Sequence, residues 1–233
     1  AIVFSVYDIY VNTSVDTILF HVVALIFNIL LLQTLVPEPE FSFSFNGVAW
    51  YLSVSMFLYA AFPFILSKVK KIREKYVLGV VFLIYTILIF LGLGSQCFFS
   101  TETVYDNFSY WFTYICPFFR MGDFIIGCCF GRLFLERKFE INLFWNQVME
   151  IVAVIATVLA LYIYTNRVGI LGSERYRYSL LFTPISVLIV YSFAEKKGIL
   201  AKVLKLRPIL YLAELSPYMF LIHQIVISYI GVF

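Results

Sequence analysis

The chain has 233 residues, of which 62% are apolar and 13% are charged, and its mean hydropathy is +0.93. Soluble globular domains carry about 45–50% apolar and about 25% charged residues, so this composition excludes that class, together with disordered chains and nucleic-acid-binding proteins. The net charge of +3 is small, and its distribution along the chain is more informative than its size.

Seven stretches of the chain are long and apolar enough to cross a bilayer as helices. A hydrocarbon core about 30 Å thick needs roughly 20 helical residues, because each residue adds about 1.5 Å. In chain order the stretches are residues 17–36, 48–67, 77–98, 114–135, 147–164, 178–194 and 209–232. The sequence therefore predicts an all-α fold, a polytopic integral membrane helical bundle of about seven transmembrane helices, in a single transmembrane domain over residues 1–233.

Lys and Arg are concentrated in alternate loops of this arrangement. Loop 68–76 carries five of them, segment 132–138 carries three and loop 195–208 carries five, whereas the opposite side carries only four. Because basic loops stay on the cytoplasmic side during insertion, this split of 13 to 4 predicts that the first span runs outward. The C-terminus, the polar connection 36–47 and the acidic loop around Glu102 are then extracytoplasmic. We expect a multi-pass protein of the cytoplasmic (plasma) membrane.

The four cysteines do not form the framework of a disulfide-rich protein. Cys128 and Cys129 are adjacent in an apolar run, and their positions favour buried free thiols. Cys97 and Cys116 are close enough along the chain to pair across one loop, but free thiols are the preferred interpretation for them as well.

Polar residues interrupt the first predicted span at His21, Asn28 and Gln33. His21 and Asn28 are seven residues apart, which is two helical turns, so both lie on one face of the helix. Polar side chains within a span either bond to neighbouring helices or mark a functional site. Both interpretations remain open for this face, a hydrogen-bonded helix contact or the lining of a substrate cavity.

The fourth span contains Arg120 and Asp123, three residues apart and close enough to pair on one face. A structural ion pair and a substrate-facing role are both compatible with this spacing. The forked donors of Arg suit a planar carbonyl, carboxylate or phosphate. Gly127 and Gly131 follow on the same helix, and their spacing of four predicts the close approach of a neighbouring helix.

The last span contains His223, followed by Gln224, near the middle of the predicted membrane segment. A packing role and a catalytic or substrate-contact role both remain open for this histidine. Ser216 followed by Pro217 is typical of a helix N-cap and first turn, so the sequence predicts a helix start there.

Motifs of several other chemistries are absent from the sequence. It has no glycine-rich phosphate loop, no HExxH pair and no GxSxG element, and its two histidines are too few for a His-rich metal site. The sequence thus predicts no metal. It also lacks the internal repeat and the multiple intramembrane carboxylates expected of a charged-face transporter.

Three segments together resemble a known family. Residues 46–63, NGVAWYLSVSMFLYAAFP, are similar to the Trp-x-Leu-x-x-Glu-x-x-Tyr pattern and closing Phe-Pro of the membrane-bound acyltransferase family 3. Residues 120–131, RMGDFIIGCCFG, resemble its helix with Arg, an acidic-Phe pair and glycines. Residues 216–223, SPYMFLIH, resemble its closing helix with Ser, Leu and His. The order and spacing of the three segments fit the predicted topology.

The resemblance implies transfer of an acyl group, most often acetyl, from an acyl-CoA donor such as acetyl-CoA to a hydroxyl group. The implied acceptor is an extracytoplasmic carbohydrate or a lipid-linked glycan, and membrane lipids are the other expected partners. Trp50, Arg120, Asp123 and His21 are the candidate substrate-binding residues. The catalytic residue is not identified by the resemblance, and His223 and Ser55 are the candidates for it.

Two departures from the family pattern affect this expectation. Ser55 occupies the position of the family's Glu, and a hydroxyl cannot hold the charge of a carboxylate. The family's early basic residue and following His have no match either, because residues 1–67 contain no Lys or Arg. We therefore expect this chain to be the later part of a domain whose first spans are missing, and these 233 residues alone to be inactive. The alternative function is an inactive membrane scaffold, or a solute or lipid carrier of the same fold.

Overall fold

The computed structural model describes residues 15–98, 108–136, 141–168 and 181–230, and within these ranges the chain is helical without strands. Seven of the described helices are long, and each overlaps one predicted stretch. They are α1 (Val15–Ile29), α2 (Trp50–Lys71), α3 (Glu74–Phe98), α4 (Pro117–Glu136), α5 (Leu143–Thr165), α6 (Thr183–Ala194) and α7 (Arg207–Ile230). The prediction of an all-α membrane fold is confirmed.

Four described helices, α2, α3, α5 and α7, are long and apolar enough to cross a membrane. Helices α1 and α6 are apolar but shorter, with 15 and 12 residues. Helix α4 has 20 residues, but Arg120, Asp123 and Arg132 make it more polar than the others. The number of about seven spans therefore stays a prediction. The four helices α2, α3, α5 and α7 support a membrane protein whatever the final number is.

The chain divides into two compact units. Unit 1 comprises the described residues within Ala1–Ala60, Phe99–Arg120 and Leu212–Phe233. Unit 2 comprises those within Ala61–Phe98 and Met121–Tyr211. Helices α2, α4 and α7 each pass from one unit to the other, whereas α1 belongs to unit 1 and α3, α5 and α6 belong to unit 2.

The core of unit 2 is formed where α2, α3 and α4 meet. Its fully buried side chains are Val69, Val77 and Cys129. Partly buried apolar residues pack around them: Ile65, Ile72, Val81, Ile125, Cys128 and Leu133. In lipid the hydrophobic effect does not drive helices together, so close packing of such side chains holds the three helices in contact.

A single glycine allows the close contact between α3 and α4. A Cβ built at Gly122 would lie 2.7 Å from Leu88 Cδ2, so only a glycine lets this side chain reach the α4 backbone. The prediction that Gly127 and Gly131 serve this purpose was wrong for the described part of the chain, because a Cβ at either of them meets no described residue within 4 Å.

Arg132 of α4 closes the C-terminal end of α2. Its Nη1 donates to the backbone carbonyl oxygens of Val69 and Ile72, and its Nε donates to Glu136 Oε2 at 2.8 Å. The last carbonyls of a helix have no partner within the helix, so this side chain replaces the missing donors. Arg132, one of the basic residues predicted on the cytoplasmic side, thus also fixes α2 against α4.

Helix α7 begins at Arg207 and continues without interruption through Pro217. The predicted helix start at Ser216 was therefore wrong. A proline inside a helix removes one backbone hydrogen bond, and the apolar residues on both sides of Pro217 favour continuing the helix nonetheless. Helix α2 likewise contains Pro63 in its interior.

The described cysteines agree with the sequence prediction. Cys116, Cys128 and Cys129 are free thiols, and Cys116 and Cys129 are buried. The side chain of Cys97 lies outside the described residues, as do Glu102 and the surrounding acidic loop.

Candidate functional site

The polar connection between α1 and α2 folds into a short, hydrogen-bonded structure in unit 1. After α1 ends at Ile29, the chain forms a 3-10 turn over Gln33–Leu35 and one helical turn over Pro39–Ser42. Asn28 Nδ2 donates to Ser44 Oγ at 2.8 Å. This contact links the end of α1 to the connection. Of the two interpretations left open by the sequence, Asn28 therefore fits the hydrogen-bonded contact between elements.

A buried polar cluster joins this connection to α2 and to the segment before α4. The hydroxyl oxygens of Thr34 and Ser53 lie 2.6 Å apart, and Trp111 Nε1 donates to the Thr34 carbonyl oxygen at 3.1 Å. Thr34 is 0%, Ser53 2% and Trp111 7% exposed. Because buried polar groups are stable only when they are bonded, these three side chains fix the relative positions of three separate parts of unit 1.

Gln33 contributes one unsatisfied acceptor to the same cluster. The residue is 0% exposed, and its Nε2 donates to the Ala49 carbonyl oxygen at 3.4 Å. Its Oε1 has no hydrogen-bond partner. The buried polar cluster, defined as Gln33, Thr34, Ser53 and Trp111, therefore contains one oxygen that is able to accept a hydrogen bond from a hydroxyl group.

An aromatic cluster with one cation lies in the same unit, where the chain enters α4. The segment Trp111–Ile115 is a π-helix, in which the Cys116 N–H bonds to the Trp111 carbonyl oxygen at 2.8 Å. The Tyr114 ring lies 4.8 Å from the Trp50 ring, and the Arg120 guanidinium lies 5.5 Å from the Tyr114 ring centroid. Arg120 Nε also donates to the Tyr114 carbonyl oxygen at 2.8 Å.

Tyr114 therefore brings together two of the predicted substrate-binding residues, Trp50 and Arg120. Short helical stretches of the π type occur often at functional sites, because the extra residue per turn reorients side chains. The three residues are partly buried rather than fully enclosed. We call them the Trp50–Tyr114–Arg120 cluster.

His223 lies on α7, beside the start of α2. The ring of Phe220 packs between the rings of Tyr51, at 5.2 Å, and His223, at 5.5 Å. His223 Nδ1 bonds to the Phe220 carbonyl oxygen within its own helix, and its side chain is exposed. Phe220 and Tyr51 thus link His223 to the start of α2, where Trp50 lies.

Two close contacts hold α7 against the segment that precedes α2. Asn46 Nδ2 donates to the Leu221 carbonyl oxygen at 3.1 Å. A Cβ at Gly47 would lie 2.8 Å from Gln224 Nε2, so the glycine lets the Gln224 side chain approach the backbone. The Asn-Gly pair that opens the family-like segment 46–63 therefore serves the packing of unit 1.

The remaining predicted site residues have the following positions and contacts. His21 Nδ1 bonds to the Thr17 carbonyl oxygen at 2.8 Å within α1, and its ring packs on Phe20. Ser55 is half-buried on α2, two residues beyond Ser53. Asp123 belongs to unit 2, where its Oδ1 accepts a hydrogen bond from the Thr183 hydroxyl at 2.8 Å.

Sequence reasoning missed Thr34, Ser53, Trp111 and Tyr114. No motif marks them, and Thr34 is separated from Ser53 by 19 residues and from Trp111 by 77. The one available signal was the polar composition of the connection next to an aromatic-rich segment, YWFTYICPFF at 110–119.

The chemistry of these groups suits an oxygen-rich substrate. A guanidinium donates forked hydrogen bonds to a carbonyl or phosphate oxygen, aromatic rings pack on the apolar faces of sugars, and hydroxyl and amide groups bond to sugar hydroxyls. Among the described residues, no group of three or more His, Cys, Asp and Glu is placed to hold a metal ion.

Comparison with known proteins agrees with the motifs found in the sequence. The family model of acyltransferase family 3, described as an acyltransferase domain, matches residues 1–233. No curated protein matches the chain significantly, and the same is true of the solved structures. Since the family match extends over all 233 residues, this membrane protein belongs to acyltransferase family 3.

Proposed function

We propose that the protein is a membrane O-acyltransferase that moves an acyl group, most often acetyl, from acyl-CoA to a hydroxyl of an extracytoplasmic carbohydrate or lipid-linked glycan. Membership of acyltransferase family 3 is the observation that carries this proposal. The Trp50–Tyr114–Arg120 cluster supports it, because this part of unit 1 combines a cation with aromatic rings.

Arg120 is the proposed contact for the acyl carbonyl or for an anionic group of the acceptor. Attack of a hydroxyl on a thioester places negative charge on the carbonyl oxygen, and a donor aimed at that oxygen lowers the barrier. The contacts of Arg120 with Tyr114 fix the direction of the guanidinium before substrate arrives. Preorganised donors of this kind are worth most where water is excluded.

The reaction also needs a general base within about 2.6–3.2 Å of the hydroxyl proton. His223 is the proposed candidate among the described residues, because its ring lies on the exposed side of α7 next to Phe220 and Tyr51. Its Nδ1 is engaged with a backbone carbonyl, which leaves Nε2 as the nitrogen that would accept a proton. His21 is the proposed wall residue of the same site.

The donor and acceptor of this proposed reaction lie on opposite sides of the membrane. The positive charge in loops 68–76 and 195–208 supports a cytoplasmic position for both loops, on the side where acyl-CoA is made. In the plasma membrane, the enzyme would have access to a cytoplasmic acyl donor and to an extracytoplasmic acceptor.

Substitution of Arg120 tests the role of the cluster. In the host from which the gene is deleted, we expect the wild-type gene to restore alkali-labile acetyl esters on surface glycans. Arg120→Ala should lower the rate at which these esters form by about 10²–10³-fold, the range seen when one oxyanion donor is removed. Arg120→Lys should restore only part, and Arg207→Ala, an exposed cation on α7, should behave as wild type. Equal ester levels with Arg120→Ala would reject Arg120 as a substrate contact.

One observation favours a second candidate function, an inactive scaffold or carrier. Ser55 lies where the family has Glu, and it is half-buried on α2 in unit 1. If the missing carboxylate abolishes activity, wild-type protein forms no ester and Ser55→Glu gains activity. If the protein is an active acyltransferase, Ser55→Glu leaves the esters unchanged or lowers them.

A further inference from the structure

A buried carboxylate lies near the start of α5, in unit 2. Glu150 is 1% exposed, and within the described part of the chain it has no cationic partner. Its Oε2 accepts hydrogen bonds from the backbone N–H groups of Leu200, at 3.1 Å, and Ala201, at 3.4 Å. Its Oε1 has no hydrogen-bond partner. One oxygen of this carboxylate is therefore satisfied by the short helix Ile199–Leu204, and the other is not.

Asn146 supplies a second unpaired oxygen one turn earlier on α5. The residue is 0% exposed, and its Nδ2 donates to the Ser192 carbonyl oxygen of α6 at 3.3 Å. Its Oδ1 has no partner. Residues four apart lie on the same face of a helix, so both unpaired oxygens belong to the buried face of α5.

The residues packed around the Glu150 carboxylate leave it little room to change its orientation. The other buried residues of this α5 face are Ala153 and Ala160, whose small side chains allow close packing. Gly198 also lies against this carboxylate, since a Cβ built there would come within 2.1 Å of it. The backbone of Gly198 thus lies directly against the carboxyl group.

A buried negative charge needs a positive ligand. Burying an ionised carboxylate without a compensating charge is far more costly than losing one hydrogen bond, and two backbone N–H donors compensate only part of that cost. Carboxylate and amide oxygens are hard ligands, which suit alkali and alkaline-earth cations. One carboxylate balances one positive charge, and no cluster of three acidic or other metal-ligating side chains occurs among the described residues.

We propose that Glu150 Oε1 and Asn146 Oδ1 bind a monovalent alkali cation, sodium or potassium. The ion neutralises the carboxylate and links α5 to α6 and to the helix Ile199–Leu204. This site is a structural one, and it departs from the expectation from sequence that the protein takes no metal. It stands independently of the proposed acyltransferase function.

Thermal unfolding of the purified chain in nanodiscs, followed by tryptophan fluorescence, measures this binding directly. The protein is prepared in N-methyl-D-glucamine chloride, whose cation is too large for the site, and titrated with NaCl or KCl at constant total chloride. A saturable rise in Tm of roughly 5–10 °C at a hundred times the apparent Kd is expected for one of the two ions. Unchanged Tm in all three salts overturns the proposal and indicates that a proton or water satisfies Glu150.

Three variants assign the effect to this site. Glu150→Gln should lose the salt-specific rise, while Glu74→Gln, an exposed carboxylate in the first turn of α3, should keep it. Asn146→Ala should raise the apparent Kd about tenfold, and it serves as the test if Glu150→Gln does not fold. Equal loss in Glu150→Gln and Glu74→Gln, or an unchanged Kd in Asn146→Ala, would place the ion elsewhere and contradict the proposal.

Discussion

Two buried polar sites, one in unit 1 and one in unit 2, are bonded in different ways. In unit 1 the buried polar cluster consists of neutral groups, and Thr34, Ser53 and Trp111 bond to one another across elements far apart in the chain. In unit 2 the carboxyl group of Glu150 bonds, among the described residues, to the backbone N–H groups of Leu200 and Ala201. Neutral groups that bond to one another fix separate segments in place, whereas an ionised carboxylate at a buried position would require a ligand of opposite sign.

Three glycines, one in unit 1 and two in unit 2, make room for side chains from other segments of the chain. Gly47 of unit 1 makes room for the amide of Gln224, which is uncharged and flexible. Gly198 and Gly122 of unit 2 make room for the Glu150 carboxylate and for Leu88. Adding a Cβ at these positions therefore tests which unit tolerates a small change in packing.

The largest loss of stability is expected for Gly198→Ala. The added Cβ meets all three atoms of the Glu150 carboxylate at 2.1 Å, so the carboxylate must leave the N–H groups of Leu200 and Ala201. We expect the free energy of unfolding to fall by about 3 kcal/mol, because the added carbon overpacks the site and the carboxyl group loses its hydrogen bonds. Equilibrium unfolding in mixed micelles measures it. An unchanged free energy would mean that the carboxylate is free to move.

A smaller loss is expected for Gly122→Ala. Its Cβ would lie 2.7 Å from Leu88 Cδ2, and the leucine must shift within the contact between α3 and α4, which lowers the free energy of unfolding by about 1–3 kcal/mol. The matched control is Gly127→Ala on the same helix, where the Cβ meets nothing within 4 Å. We expect no loss there, because alanine is the better helix former. Equal losses in the two variants would disprove the assignment of Gly122 as the contact glycine.

The helices of this protein could be predicted from hydropathy, but the buried polar contacts could not. The stretch 147–164 became α5 (Leu143–Thr165), since a long apolar run in lipid has few alternatives to a helix. In contrast, the side chain of Thr34 meets Ser53 and the backbone carbonyl of Thr34 meets Trp111 only after the chain folds.

Helix ends and contact glycines were the other points where sequence patterns failed. Pro217 is compatible with a first turn and with a helix interior, and only the continuous apolar sequence around it favours the second. The spacing of Gly127 and Gly131 matches a close-contact motif, but which face of α4 meets α3 depends on packing that the spacing alone does not contain.

The smallest of the three losses in the free energy of unfolding is expected for Trp111→Phe in unit 1. The change removes the Nε1 donor and leaves the buried Thr34 carbonyl oxygen without this partner, at about 1–2 kcal/mol in the free energy of unfolding. Trp145→Phe on α5, where the indole is 60% exposed, is the control and should be neutral. If both variants unfold alike, the Trp111 bond does not hold the connection in place.

The most direct test of the acyltransferase assignment is the transfer reaction itself. Membranes from the host that expresses the complete gene product are incubated with radiolabelled acetyl-CoA and the host's surface glycans, beside membranes from the deletion strain. We predict alkali-labile label on the glycan with the wild-type gene, and almost none with Arg120→Ala at equal protein level. Equal labelling of the glycan by wild-type and deletion membranes would contradict the assignment.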